Sequence, residues 1–337
     1  MKIVFLNIYQ GLVDRGAETF VYELSKRLSK NHKVDIISGK KVPPARWYFL
    51  WRFFLDPQGL FILWFTLKNL GKIWKEKYDA IIPLNGGWQP AIIRIVTWLN
   101  GSKMVISGHS GIGWDDRNNL WSFPNVFIAL STGAKLWAKK ANPFVKIEYI
   151  PNGVDVNKFC PGGEAVETKL KKPIILCVGA LTKTKRIGLT IKAVAKLKDA
   201  SLLVVGNGDV RSKIYDLGFR MLGERFQLIK VPYEDMPKMY RAAGVFTLVS
   251  EPYYSFETVL AEAMASGLAV VANNDPIRKE IVGDAGILVD PANTHEYAKA
   301  LKTALEKNWG DKPRRQAEKF SWDIIAKKYE KLFKLLI

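Results

Sequence analysis

Apolar, strand-like runs alternate with helix-period segments along nearly the whole chain, and the series runs twice. KIVFLNI opens the first series, and ETFVYELSKRLSK, with Phe20, Leu24 and Leu28 spaced by four, follows as an amphipathic helix. KVDIISG, DAIIPLN, KMVISGH and NVFIALS carry the series to about residue 131. A second series, KPIILCVGA, SLLVVGNG, FQLIKVP, GVFTLVS and LAVVAN, begins after the Pro and Gly-rich segment IPNGVDVNKFCPGG. Strands of this kind with helices between them form parallel sheets covered on both faces. At 337 residues, 48% of them hydrophobic, the chain has enough material for two cores. The pattern predicts two doubly wound α/β domains, 1–150 and 151–320, facing each other across a cleft at the carboxyl ends of their strands. A basic amphipathic helix over 321–337 closes the chain.

Charge narrows the partners without choosing among them. The 51 Lys and Arg outnumber the 32 Asp and Glu, for a net charge of +19, which favours an anionic partner such as phosphate, a membrane surface or nucleic acid. The basic residues are spread over many helices with no recognition motif or stacking platform, so nucleic-acid binding ranks far behind. Cys160 and Cys177, with His32, His109 and His295 scattered, make neither a disulfide framework nor a metal-ligand set, so no metal is expected. MKIVFLNIY turns polar too soon for a signal peptide and suits a buried first strand, which gives the expectation of a cytoplasmic chain.

Residues 45–79 break the pattern, being dense in Trp, Phe, Leu and basic side chains. Asp56, Pro57 and Gly59 split the apolar runs, each too short to span a bilayer. Two readings stand open: a helix lying in an anionic membrane interface, or ordinary packing on the first sheet.

Several loops carry chemistry. YQGLVDRGAET puts Gly16 at a helix start, where backbone amides can approach a phosphate, although Gly is common in such loops. VGALTKTKR places Lys185 and Arg186 after a strand, where a diphosphate needs compensating charge; a solvated loop is the plainer alternative. His109 follows a buried strand within VISGHSGIGW, and no nearby carboxylate pairs with it. In YSFETVLAEAMASG, Glu262 lies on a helix that starts beside the strand GVFTLVS, where a carboxylate can accept from the two hydroxyls of a ribose.

IPNGVDVNKF, VGALTKTK, VVGNGD, YEDMPKMYRAAGVFTLVS and above all LAEAMASGLAVVAN with GILVDPAN resemble the retaining glycosyltransferases of family 4. The resemblance covers nearly the whole chain. It implies the GT-B fold of two Rossmann-like domains, with FSWDIIAKKYEKL as the closing helix that crosses back onto the first domain, and no obligatory metal. By resemblance, Glu262 matches the second Glu of the E-x7-E motif and binds the donor ribose. Lys185 holds the diphosphate, Val231 meets the base through its backbone, Gly16 belongs to the glycine loop, and His109 lies beside the donor sugar. The chain also departs from the pattern. Tyr254 stands in place of the first Glu, which usually contacts the transferred sugar, and Glu257 replaces a Gly. Ala180 stands where an Arg normally joins Lys185, with Arg186 as its substitute. Glu257 with His109 is the catalytic candidate pair.

The resemblance implies transfer of a sugar from a nucleoside diphosphate sugar to a lipid-linked or surface-glycan acceptor, with retention; the expected location is cytoplasmic, with residues 45–79 as the segment through which the protein would be peripheral on the inner face of a membrane. A nucleotide-sugar epimerase on the same fold is the alternative. It would need an acid and a base, for which His109 and Glu257 are the available pair.

Overall fold

The computed structural model describes residues 1–337 except 14, 48 and 253–255. The chain divides into two compact units, Met1–Asn152 with Trp322–Ile337, and Gly153–Ser321.

Among the described residues the first unit holds six strands, β1 (Lys2–Asn7), β2 (Lys33–Ser38), β3 (Ala80–Pro83), β4 (Lys103–Ser107), β5 (Val126–Ala129) and β6 (Ile147–Tyr149), in the order β2-β1-β3-β4-β5-β6. All pairs are parallel. Alternation along β1 sends Val4 and Leu6 into one core and Ile3 and Phe5 into the other. Helices Pro57–Glu76 and Trp88–Asn100 close the first core through Ile62, Phe65, Ile73 and Ile93. Helices Gly16–Leu28 and Trp322–Leu336 close the second, where the Phe20 ring lies 6.1 Å from Trp322 and 5.7 Å from Tyr329.

The residues that interrupt the apolar run at 45–79 start a helix. Asp56 caps it, its Oδ1 accepting from the Gly59 amide at 3.3 Å, and Pro57 occupies the first turn, where a missing N–H costs nothing. Of the two readings, packing on the sheet holds for one face of this helix. Ile62, Phe65, Thr66 and Ile73 are buried, while Leu60, Trp64, Leu67 and Trp74 stand exposed on the surface. Among the described residues no helix is long and apolar enough to cross a membrane.

The second unit repeats the architecture among its described residues with β7 (Ile174–Val178), β8 (Ser201–Val205), β9 (Phe226–Ile229), β10 (Val245–Leu248), β11 (Val270–Asn273) and β12 (Gly286–Val289), in the order β12-β11-β10-β7-β8-β9. From β7 the chain winds outward through β8 and β9, then returns to lay β10 on the other side of β7, with Val245 opposite Ile175. The winding therefore reverses between β7 and β10. Gly206 and Gly208 allow the turn after β8 to press on the loop after β7: a Cβ at either would lie 2.0 Å from the Gly179 carbonyl oxygen or 2.6 Å from that of Leu181.

The sequence pattern yields five strands per half, and the structure adds β6 and β12. Both are edge strands; β6 spans three residues and β12 is half-buried along most of its length, so neither shows a long apolar run.

Trp322 is 2% exposed and belongs to the second core of the first unit. Trp322→Ala should destabilise that unit by about 3 to 5 kcal/mol, read as a lower urea midpoint of its unfolding transition. A midpoint equal to that of the parent would contradict the placement of the closing helix.

Candidate active site

The second sheet reverses its winding at β7 and β10, and the carboxyl edge at such a reversal is where open α/β sheets take ligands. After β7 the chain makes a 3-10 turn, Lys183–Lys185, and then the helix Ile187–Val194. After β10 it runs through residues 249–257 into the helix Thr258–Ala265. The Glu251 amide donates to the Thr184 carbonyl at 2.8 Å and ties the two loops together.

Lys185 and Glu257 meet at this point. The Lys185 ammonium donates to both carboxylate oxygens of Glu257, at 2.8 Å to Oε1 and 2.7 Å to Oε2. Ser250 Oγ donates to Oε1 at 2.5 Å, and the Arg278 guanidinium donates to Ser250 Oγ at 2.8 Å and to Glu257 Oε1 at 3.2 Å. All four side chains are buried. Asp275 partners Arg278 from the other side at 3.5 Å and caps the helix Pro276–Val282, accepting from the amides of Ile277 and Arg278. Glu257 holds a left-handed backbone, with φ 59° and ψ 70°. That conformation is easiest for Gly, the residue expected here by resemblance.

Arg186 does a different job. Its Nε donates to the Val249 carbonyl at 2.8 Å and its Nη2 to the Ser250 carbonyl at 2.6 Å, so the guanidinium braces the end of β10. Cys177, on β7, is a buried thiol whose pKa burial pushes up to about 12, an inert packing residue.

Glu262 sits one turn into the helix Thr258–Ala265, buried, with two tyrosines on its carboxylate. The Tyr240 hydroxyl donates to Oε2 at 2.8 Å and the Tyr233 hydroxyl to Oε1 at 3.3 Å. Burial raises the carboxyl pKa, opposed by these two hydrogen bonds and by Lys158, whose ammonium lies 3.7 Å from the Tyr233 ring centroid. Val231 is half-buried in the loop after β9, two residues before Tyr233, so the loop that carries it reaches the same corner as Glu262. Tyr254 lies outside the described residues.

In the first unit, Gly16 is the first residue of the helix Gly16–Leu28, and the His109 ring lies 4.4 Å from Phe20 of that helix. Burial lowers the His109 pKa to about 4, which leaves a neutral imidazole at pH 7. Its Nε2 has no hydrogen-bond partner among the described residues. Asp116, buried on the helix Trp114–Trp121, accepts from Asn119 Nδ2 at 3.1 Å and from backbone amides at Ser110 and Gly111, the loop that carries His109. Burial pushes its pKa up to about 7. Glu18, in the first turn after Gly16, accepts from Asn7 Nδ2 at 3.2 Å, and burial raises its pKa too.

Ser250, Arg278, Tyr233 and Tyr240 carry no motif that marks them in the sequence. Glu18 and Asp116 had a usable signal, an acid in the first turn of a helix after a glycine-bearing loop. Among the described residues no cluster of three His, Cys, Asp or Glu is placed to hold a metal ion.

Residues 15–158 match the family described as Glycosyltransferase Family 4, and residues 164–321 match the one described as Glycosyl transferases group 1. An uncharacterized glycosyltransferase of Methanocaldococcus jannaschii is 32% identical, in a match covering 97% of this chain and 92% of that protein. The N-acetylgalactosamine-N,N'-diacetylbacillosaminyl-diphospho-undecaprenol 4-alpha-N-acetylgalactosaminyltransferase of Campylobacter jejuni is 31% identical over 56% of this chain and 51% of its own length. The solved structure of Anabaena HepE in complex with UDP-glucose superposes with a TM-score of 0.78 at 18% identity, covering 99% of both chains. Two parallel doubly wound sheets and these matches agree, and the chain belongs to glycosyltransferase family 4, an enzyme family with the GT-B fold.

Proposed function

We propose that the enzyme transfers a sugar from a nucleoside diphosphate sugar, with retention of configuration and without an obligatory metal, to a lipid-linked or surface-glycan acceptor. The observation that carries this reading is the placement of Lys185 on the 3-10 turn after β7 and of Glu262 on the helix after β10, the two strands at which the sheet reverses. A cation and a carboxylate suit the two ends of a nucleoside diphosphate. Glu262 accepts from the ribose hydroxyls, Lys185 compensates the diphosphate, and the backbone at Val231 meets the base. The UDP-glucose in the HepE structure supports the donor class, and the diphospho-undecaprenol in the Campylobacter enzyme's name supports the acceptor class.

Leaving-group departure is where this chain's residues contribute most. As the glycosidic bond to the diphosphate breaks, negative charge grows on the phosphate oxygens, and an ammonium brought to those oxygens lowers the barrier to that step. His109, in the first unit, is neutral at pH 7 and so offers a hydrogen-bonding group rather than a charge. The acceptor's class also gives the exposed face of the helix Pro57–Glu76 a role. Trp64 and Trp74 stand beside Lys68 and Lys75, and the Lys68 ammonium lies 4.9 Å from the Trp64 ring, the composition that binds at an anionic membrane interface.

Lys185→Ala should lower kcat/KM roughly a hundredfold or more; near wild-type turnover would remove Lys185 from the site. Glu262→Ala should weaken the bare nucleoside diphosphate and the intact donor alike by about 1.5 to 3 kcal/mol in calorimetric titration, the scale of a hydrogen bond to a charged group. A loss confined to the intact donor would place Glu262 at the sugar. For the membrane, the protein should bind anionic vesicles less as salt rises, and the double variant Trp64→Ser, Trp74→Ser should bind less still while remaining folded. A parent that ignores such vesicles at low salt would contradict this part.

A further inference from the structure

The Lys185 and Glu257 pair poses a problem for any anionic ligand. The cation best placed for a diphosphate already holds a carboxylate in bidentate contact, at 2.7 and 2.8 Å, and both side chains are buried. An entering phosphate therefore meets Glu257 as a competitor and as a like charge. In a site of low dielectric both effects are stronger than on a surface.

We propose that Glu257 is the exchangeable counter-anion of Lys185 and sets how strongly the site takes a diphosphate, an inference that rests on the donor reading above. Exchange is possible because Glu257 has other partners. When Lys185 turns to an entering phosphate, Ser250 Oγ and the Arg278 guanidinium still donate to Oε1, so the carboxylate is not stranded without compensation. Arg278 in turn keeps Asp275, which spreads its charge over two carboxylates and keeps it from following Lys185. The backbone fits the same account. Glu257 sits at φ 59°, where a Gly would be at ease, so the loop conformation does not itself call for a carboxylate.

A chemical consequence follows for product release. Transfer breaks the bond between the sugar and the terminal phosphate oxygen, and the nucleoside diphosphate left behind carries one more negative charge than the donor did. Glu257 repels that product more than it repels the donor. The carboxylate thus biases the site toward the sugar-bearing form, and its charge makes it a specificity determinant whether or not it touches the sugar.

Titration calorimetry with inorganic pyrophosphate tests this without the donor's identity. The parent, Lys185→Ala, Glu257→Gln, Glu257→Gly and the double variant Lys185→Ala, Glu257→Gln are compared. Glu257→Gln should tighten pyrophosphate binding roughly tenfold, the scale expected for removing one nearby like charge in a buried site. Glu257→Gly should do the same and, by relieving the left-handed backbone, keeps the test alive if the Gln variant folds poorly. In the Lys185→Ala background the gain should largely vanish. A steady-state assay, once a donor is found, should show stronger inhibition by the nucleoside diphosphate product in Glu257→Gln. Pyrophosphate binding that depends on Lys185 but is unchanged or weaker in both Glu257 variants overturns the counter-anion role alone. Binding that is absent throughout, or indifferent to Lys185→Ala, overturns the diphosphate site beneath it.

Discussion

A parallel sheet that reverses its winding direction must send the loops after two neighbouring strands to opposite sides, and no side chain is required to open the gap between them. In the second unit this happens between β7 and β10, and Lys185, Glu257 and Glu262 lie on the segments that follow those two strands. The 3-10 turn after β7 brings up Lys185, and the segment after β10 brings Glu257 and the helix of Glu262. Backbone and guanidinium contacts then fix the spacing: Glu251 to Thr184, and Arg186 to the carbonyls of Val249 and Ser250. The site is thus a topological feature first and a set of side chains second.

Its electrostatics are unusual for a place that is to receive an anion. Lys185, Arg278, Glu257 and Asp275 balance one another, all buried. Burying ions is tolerable only when each is paired and hydrogen-bonded, and here each is. Glu262 follows another rule: burial raises its pKa, while two tyrosine hydroxyls and Lys158 favour the charged form. A carboxylate with donors already in place can exchange them for sugar hydroxyls at little cost in desolvation.

Much of this was legible in the sequence. Ten of the strands announce themselves as apolar runs, and the motif around Glu262 places its helix after β10 without coordinates. Edge strands β6 and β12 were missed because their burial is partial. The partners of Glu257 were illegible for a different reason. Arg278 stands 21 residues away on another helix, and only the fold brings its guanidinium to Oε1. The same holds for Tyr240, which lies 22 residues before Glu262. Arg186 shows the converse: beside Lys185 in sequence, it spends its guanidinium on backbone carbonyls. The exposed aromatics of the helix Pro57–Glu76 were visible as composition, but which of them face the core depended on the helix phase set by Asp56 and Pro57.

Recognition of a nucleotide's diphosphate at the carboxyl edge of the β7/β10 reversal is most directly tested by the melting temperature of the intact protein with a panel of nucleoside diphosphates and the matching nucleosides. A ligand that binds only the folded state raises the midpoint in proportion to its occupancy. The account predicts that at least one nucleoside diphosphate raises it, that its nucleoside at the same concentration does so far less, and that Lys185→Ala narrows the difference. A nucleoside as effective as its diphosphate, or a panel with no effect at millimolar concentration, would contradict it.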